Sequence, residues 1–296
     1  MHSGLGGTGS ELALATKLYV MGKTTTQIIY VDSVTGINGA STAGSSRRRP
    51  LATLAQAMTN AGDNAIIVMM ATHDETISTA VSTGFSEYLS IIGEGTDSAG
   101  RPSASLTIAE AVATSGITTS GSNVMFQNIR FKQPTAAMTK LTISLAGQGT
   151  IFDSCYFESG QYSDGALIKF APSTCAGLRF KGCTFVSVST NGAIASTPRE
   201  VLSCGAVAGD MTVRMDDCVF DGGLTGYKEA LNNPFCTDFH LSTGTVRFQG
   251  LGISLLRGAI LQIVDEGTQW GFASTPTVTG GGGIMLLDSD GGGAAV

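Results

Sequence analysis

Apolar residues recur along this chain in one eight-residue pattern. It stands at 124–131 as VMFQNIRF and returns as TIFDSCYF (150–157), LRFKGCTF (178–185), VRMDDCVF (213–220) and VRFQGLGI (246–253). Each copy reads apolar, any, Phe or Met, any, turn residue, apolar, any, Phe or Ile. The copies start 26, 28, 35 and 33 residues apart, so the unit is constant while the insert varies, as in a solenoid of stacked repeats. Val124 and Phe126 are two apart and share a strand face, as do Ile129 and Phe131, but the step between the pairs is three. A continuous strand would turn the second pair outward, so the chain must bend in between to keep all four inside. The intervening position holds Asn128, Ser154, Gly182, Asp217 and Gly250, mostly types that tolerate a left-handed backbone or bond to their own main chain. Each unit is expected to be two short strands meeting at a corner.

Stacked copies give columns of like residues. Phe126, Phe152, Phe180, Met215 and Phe248 form one, Phe131, Phe157, Phe185, Phe220 and Ile253 a second, and Ile129, Cys155, Cys183, Cys218 and Leu251 a third. They are the expected structural ladder of the core, and with the first position of each copy they make twenty inward positions, of which only Thr150 is not apolar. The outward positions carry Gln127, Asp153, Lys181, Asp216 and Gln249 in one column and Arg179, Arg214 and Arg247 beside it, a pattern that suits a solvated charge ladder.

Upstream, Tyr30, Val31 and Asp32 read as a strand, 36–49 as a loop, and 50–61 as a helix with Pro50 in its first turn and Gly62 past its end. A buried strand follows at 65–70. Apolar runs at 258–264 and 283–287 read as two later strands. Counting Ile66, Leu89, Leu106, the five copies and these two gives ten turns, a body on the order of 45 Å long at roughly 4.8 Å per turn. Residues 1–27 do not fit the repeat: they are Gly-rich and then apolar, with Leu5, Leu12, Leu14, Leu18 and Tyr19. They read either as an arm that orders against a partner or as an N-terminal cap, and 28–296 as one domain.

The order of strand, Gly-rich loop, Pro-led helix, then GDNAIIVMMATHDETI (62–77) and LSIIGEG (89–95), resembles the opening of the pectate-lyase-like right-handed parallel β-helix family, which includes many bacteriophage tail and virion proteins. The resemblance covers about residues 28–253. It implies an all-β, right-handed, single-stranded parallel β-helix whose one N-terminal helix caps the first coil and blunts its edge. Right-handedness also follows from the crossover rule. Where such openings often end in a Gly-Tyr turn, this chain has Ala71, Thr72 and His73.

Composition narrows the function. Of 296 residues only 14% are charged and 40 are Gly, which suits short strands and turns over a helical bundle. A net charge of −6 gives no electrostatic reason to expect nucleic acid. The start lacks a basic flank leading into an apolar core, and no apolar run is long enough to cross a bilayer, so neither export by the general route nor a membrane partner is expected. Cys155, Cys183 and Cys218 read as small buried hydrophobes; stacked neighbours about 4.8 Å apart leave a disulfide open. No CxxC pair supports zinc, and Cys175, Cys204 and Cys236 lie between copies. Arg47, Arg48 and Arg49 read as a solvated loop or as a contact for an anionic partner.

Chemistry finds little to rest on. The pair Asp216 and Asp217 beside Arg214 is the best local set, but the pattern sends one outward and puts the other at a corner, so they point apart. A polygalacturonase-like active site would need Asn-x-Asp, Asp-Asp, Gly-His and Arg-x-Lys in that order. Only Asp-Asp is present, and the Arg179-Phe180-Lys181 spelling precedes it. His2, His73 and His240 read as arm, surface or turn residues, and Asp63, Asp74 and Glu75 as turn residues. The Gly runs at 280–283 and 291–293 open no phosphate-binding helix. The expectation is therefore a chain without catalytic, cofactor or metal residues, not an enzyme: a bacteriophage virion structural protein, most simply a capsid decoration or cement protein. Its partners would be the major capsid protein or other virion proteins, with a homotrimer among the arrangements open to it, and it would reside in virions assembled in the host cytoplasm. The alternative is a tailspike or tail-fibre protein that binds or depolymerises host surface polysaccharide at a site between subunits. A bacterial adhesin stands third.

Overall fold

The computed structural model describes residues 27–187 apart from 40–41, 83–85, 109–115, 133–142, 146, 160–164 and 171–176, and beyond 187 the strand residues and Cys218. The chain is mostly β with parallel sheets, and the described residues hold one α-helix. After β1 (Ile28–Val31) and α1 (Leu54–Asn60), the strands come in threes. The first set is β2 (Ile66–Met69), β3 (Asp74–Ile77) and β4 (Ala80–Ser82), and the second is β5 (Ser90–Gly93), β6 (Ser105–Ile108) and β7 (Gly116–Thr119). Next come β8 (Met125–Gln127), β9 (Arg130–Lys132) and β10 (Ile143–Leu145), then β11 (Ile151–Asp153), β12 (Tyr156–Ser159) and β13 (Gly165–Phe170). Then β14 (Leu178–Lys181) and β15 (Thr184–Ser187) lead to further strands ending at Gly293–Ala295. First members join one 11-stranded sheet, β1-β2-β5-β8-β11-β14 and onward; second and third members build two 7-stranded sheets, through β3-β6-β9-β12-β15 and β4-β7-β10-β13. Pairing is parallel along all three until Gly293–Ala295, which joins Gly283–Asp288 antiparallel.

The repeat explains the core. In the copies at 124, 150 and 178 all twelve inward residues are buried, including Thr150. Phe126, Phe152 and Phe180 stack with ring centroids 5.0 and 5.1 Å apart, and Phe131, Phe157 and Phe185 at 5.1 and 4.7 Å. These are the strand spacing itself, so register alone brings the rings face to face. The two columns meet edge-on, as in Phe152 against Phe157 at 5.5 Å. Fully burying a Phe contributes on the order of 1.5–3 kcal/mol, so the aromatic columns dominate the local stability.

The corner between first and second sheets has the expected handedness. Asn128, Ser154 and Gly182 have φ of 54°, 56° and 58°. At Asn128 and Ser154 the N–H then points along the stack: Asn128 N–H donates to Asp153 O (2.9 Å) and Ser154 N–H to Lys181 O (2.7 Å). Asn128 Nδ2 also donates to the carbonyls of Gly93 (2.8 Å) and Gly95 (3.1 Å) of the preceding turn. Gly93 must be Gly, because a Cβ there would lie 2.1 Å from Asn128 O. A second left-handed column, absent from the sequence reading, precedes the first sheet: Asn64, Tyr88 and Asn123 at φ 59°, 57° and 58°, then Gly149 and Gly177 at 68° and 71°. Asn64 N–H donates to Glu87 O, Tyr88 N–H to Ser122 O and Asn123 N–H to Gln148 O, so this corner too is laced from turn to turn.

Several expectations are corrected. The helix begins at Leu54 and not near Pro50, because the Thr53 side chain caps it, while Leu51 lies extended beside Val31. Leu106 does not start a turn; it lies in the second strand of the turn that Leu89 begins. The copy at 246 is displaced. Met215 pairs with Leu241 of Asp238–Leu241, whereas Phe248 pairs with Phe220 and so joins the second aromatic column. Ile253 falls in the third sheet opposite Leu231, and Arg247 opposite Val219 instead of Arg214. The outward ladder holds through Gln127, Asp153, Lys181 and Asp216, and Arg179 pairs with Arg214. On β2 and β5, however, the second face is apolar: Ile66, Val68 and Ile92 are buried there, with Ile28 and Tyr30 packed against them. The arm residues Leu5, Leu12, Leu14, Leu18 and Tyr19 lie outside the described residues.

Candidate functional site

Among the described residues, an imidazole and a carboxylate enter the inward columns at the N-terminal end. Ser105 N–H donates to His73 O as Arg130 N–H does to Ala104 O, Tyr156 N–H to Ile129 O and Thr184 N–H to Cys155 O. His73 thus occupies the foot of the cysteine column, and Glu75, paired with Leu106, the foot of the second aromatic column. His73 is fully buried, not the surface or turn residue expected, and Asp74 and Glu75 lie in β3. The Ser33 N–H donates to His73 Nδ1 at 3.0 Å, which leaves the ring proton on Nε2. Nε2 lies 3.1 Å from Glu75 Oε2, close but poorly aimed. The same Oε2 accepts from Leu54 N–H at 2.7 Å, the first amide of α1.

Ser33, His73 and Glu75 are residue types of a nucleophile, a base and an orienting acid, but their geometry is different. The Ser33 hydroxyl bonds the main chain of Asp74, and it is the Ser33 amide that meets the ring. The trio fastens the capping helix and the β1 loop to the first turn. Asp32 reinforces it, buried and accepting from Val34 N–H (3.2 Å), Thr35 Oγ1 (2.5 Å) and Thr72 Oγ1 (3.1 Å). Burial alone would raise the Asp32 carboxyl; these hydrogen bonds outweigh it and hold the group below its ordinary value.

A second cluster lies on the outer face of the second sheet. Arg130 and Glu158 approach to 2.5 Å, Arg101 lies 3.6 Å from the same Glu158 oxygen, and Asp97 sits 2.8 Å from Arg101 and 3.8 Å from Arg130. Two guanidiniums and two carboxylates therefore close a ring between the 94–104 loop and strands β9 and β12. Glu158 is buried, and its Oε1 and the Arg130 Nε have no well-directed hydrogen bond. Hydrogen bonds from Arg101 hold Asp97 below the usual carboxylate range and push the Arg101 guanidinium up in return. Beside them, Asp74 accepts from Ser105 Oγ (2.6 Å) and Lys132 Nζ (2.8 Å). Burial would raise the Asp74 carboxyl, but these bonds from Lys132 and Ser105 prevail and keep it low.

The three adjacent arginines separate. Arg47 forms a bidentate pair with Glu94 and lies over the Tyr30 ring, 5.6 Å from its centroid. Arg48 and Arg49 are exposed and border a cleft with Thr35, Ile37, Thr42 and Pro50. Cys155, Cys183 and Cys218 are buried thiols, not disulfides; Cys155 and Cys183 each lie 3.4 Å from a carbonyl of the preceding turn, Phe126 O and Phe152 O. Burial, and then the neighbouring Cys155, push the Cys183 thiol well above its ordinary value. Among the described residues no group of His, Cys, Asp or Glu could hold a metal ion, and no helix is long and apolar enough to cross a membrane.

No protein-family model matches the chain, and no curated protein matches it. Among solved structures, one described as rhamnogalacturonan lyase is similar over 81% of this chain and 74% of its own, at 13% identity and a TM-score of 0.47. That protein is an enzyme, and with this neighbour the expectation that the chain is not an enzyme is withdrawn. A likeness of this depth carries no activity across to the present chain.

Proposed function

We propose that the chain is a right-handed parallel β-helix and serves as a bacteriophage virion structural protein, a decoration or cement protein of the capsid. Its partners would be the major capsid protein or other virion proteins, met in the host cytoplasm during assembly. The observation that supports this reading is that the charged side chains tie one turn of the chain to another. Arg47 reaches Glu94, Lys132 reaches Asp74, and Arg101 and Arg130 both reach Glu158. A pair as open to solvent as Lys132 with Asp74 contributes little, about 0–1 kcal/mol, but several such ties together resist shear between turns, a property that suits a shell component. Copy number in purified particles, by quantitative mass spectrometry against the major shell protein, tests it. Hundreds of copies support the decoration role, a few tens move the protein to the tail, and none removes it from the virion.

A second reading rests on the ring of Asp97, Arg101, Arg130 and Glu158. A tailspike that acts on host surface polysaccharide would need carboxylates and cations together on one outer face, and this set supplies both. New reducing ends or unsaturated products from host polysaccharide, abolished in a Glu158→Gln variant of unchanged melting temperature, would favour it.

A further inference from the structure

The loop between β1 and α1 folds back on itself and encloses a cleft of about 220 Å³ bordered by Thr35, Ile37, Thr42, Arg48, Arg49 and Pro50. Main-chain bonds fix its walls: Ile37 N–H donates to Pro50 O (3.0 Å), Gly44 N–H to Arg49 O (2.6 Å) and Arg49 N–H to Ser46 O (3.0 Å). Gly36 sits so close to Leu51 that a Cβ would lie 2.3 Å from its carbonyl oxygen. The cleft therefore exists before any ligand arrives, and occupying it costs little ordering.

Its rim is cationic and apolar at once. Arg47, Arg101, Arg130 and Lys132 each meet a carboxylate, whereas Arg48 and Arg49 meet none among the described residues. Arg49 Nη1 donates to Thr42 Oγ1 at 3.2 Å, and Arg48 and Arg49 are both exposed. Beside them Ile37 is 66% exposed, with Val34 and Tyr88 one of three large apolar side chains left to solvent among the described residues. In a chain of net charge −6, two guanidiniums that meet no carboxylate among the described residues, next to an exposed isoleucine, form a local reversal of the charge. Size then selects the ligand. Small-molecule pockets begin at roughly 300 Å³, so this cleft has room for a side chain or two and not for a cofactor. The guanidinium fork selects a carboxylate, and Ile37 and Pro50 an aliphatic group.

We infer that this cleft docks an acidic peptide segment of a partner protein. An aliphatic side chain of the segment lies against Ile37 and Pro50, and carboxylates on either side of it pair with Arg48 and Arg49. The inference stands apart from the virion setting, since it depends on this loop alone.

Fluorescence polarisation of a labelled Gly-Asp-Glu-Leu-Glu-Asp-Gly peptide against the full chain tests it. The same peptide with Gly in place of Leu, a Lys-for-acid version and a labelled oligo-dT serve as comparisons. Saturable binding of the first peptide is expected, at least ten-fold weaker for the Arg48→Glu, Arg49→Glu double variant and for Ile37→Ser. It should be unchanged for Lys181→Gln, which removes an exposed cation elsewhere, and all variants should melt with the wild type. Absence of binding, or equal binding by wild type and double variant, overturns the inference. So does tighter, arginine-dependent binding of oligo-dT, which would make the cleft a phosphate site, or indifference to the loss of Leu.

Discussion

Asn128 allows the corner geometry to be tested by a reversal of sign. Within an ordinary strand Gly is worse than Ala by roughly 0.5–1 kcal/mol. At Asn128 the backbone is left-handed, φ 54°, where a Cβ-bearing residue pays roughly 1–2 kcal/mol, and Asn less than most. Its Nδ2 also holds the carbonyls of Gly93 and Gly95, two bonds of about 0.5–1.5 kcal/mol each. Asn128→Ala loses both bonds and meets the full backbone strain, for a loss of about 2–4 kcal/mol. Asn128→Gly loses only the bonds and is expected to be more stable than the Ala variant by about 1 kcal/mol. The same order should hold at Ser154, φ 56°. Equilibrium urea unfolding followed by circular dichroism reads these differences as shifts in midpoint at constant slope. Ala variants as stable as the Gly variants at both positions would refute the left-handed corner.

Other expectations follow from the same geometry. Gly182→Ala should cost only about 1 kcal/mol, since its Cβ would meet nothing nearer than 3.8 Å, whereas Gly93→Ala, with a Cβ 2.1 Å from Asn128 O, should lose at least about 2–3 kcal/mol in the same assay. Phe152→Ala should cost about 3–5 kcal/mol, because Phe152 is fully buried and touches four other rings; a loss under about 1 kcal/mol in urea unfolding would mean that the column is not packed. Asp32 and Asp74 have carboxyls held low in the folded state, so their contribution is complete above the ordinary carboxyl value of about 4 and is lost as pH falls below it. Thermal melts between pH 6 and 3 should show this loss, reduced in Asp32→Asn. With Cys175, Cys204 and Cys236 replaced by Ser, a thiol reagent should leave the native protein unlabelled and label three cysteines after denaturation; rapid native labelling would contradict the buried column.

The repeat was legible where it depends on burial. A step of three between apolar pairs located the corner, and the residue types at Asn128, Ser154 and Gly182 indicated its handedness. The second left-handed column was harder to read, since Asn123, Gly149 and Gly177 stand just outside the apolar pattern and Tyr88 belongs to no turn-forming type. The fifth copy went astray for a different reason: VRFQGLGI fits the composition of the unit, but composition does not say which sheet a strand joins, and the true first-sheet strand at Asp238–Leu241 is too short to declare itself. His73 and Glu75 were invisible as core residues because polar types at those positions fit a solvated turn equally well. The ring of Asp97, Arg101, Arg130 and Glu158 needed the register, which alone brings residues from separate turns to one face.

In the third, fourth and fifth turns only two residues separate the first-sheet strand from the second: Gln127 to Arg130, Asp153 to Tyr156, Lys181 to Thr184. In the second turn the same junction carries the whole 94–104 loop, whose tip at Gly100 faces open space. The body is thus a ready carrier for foreign sequence at one address and closed to it at the next. A single extra residue between Ser154 and Cys155 would turn the following strand inside out. An epitope or a small binding domain grafted at Gly100 would be displayed without disturbing the strands that carry it.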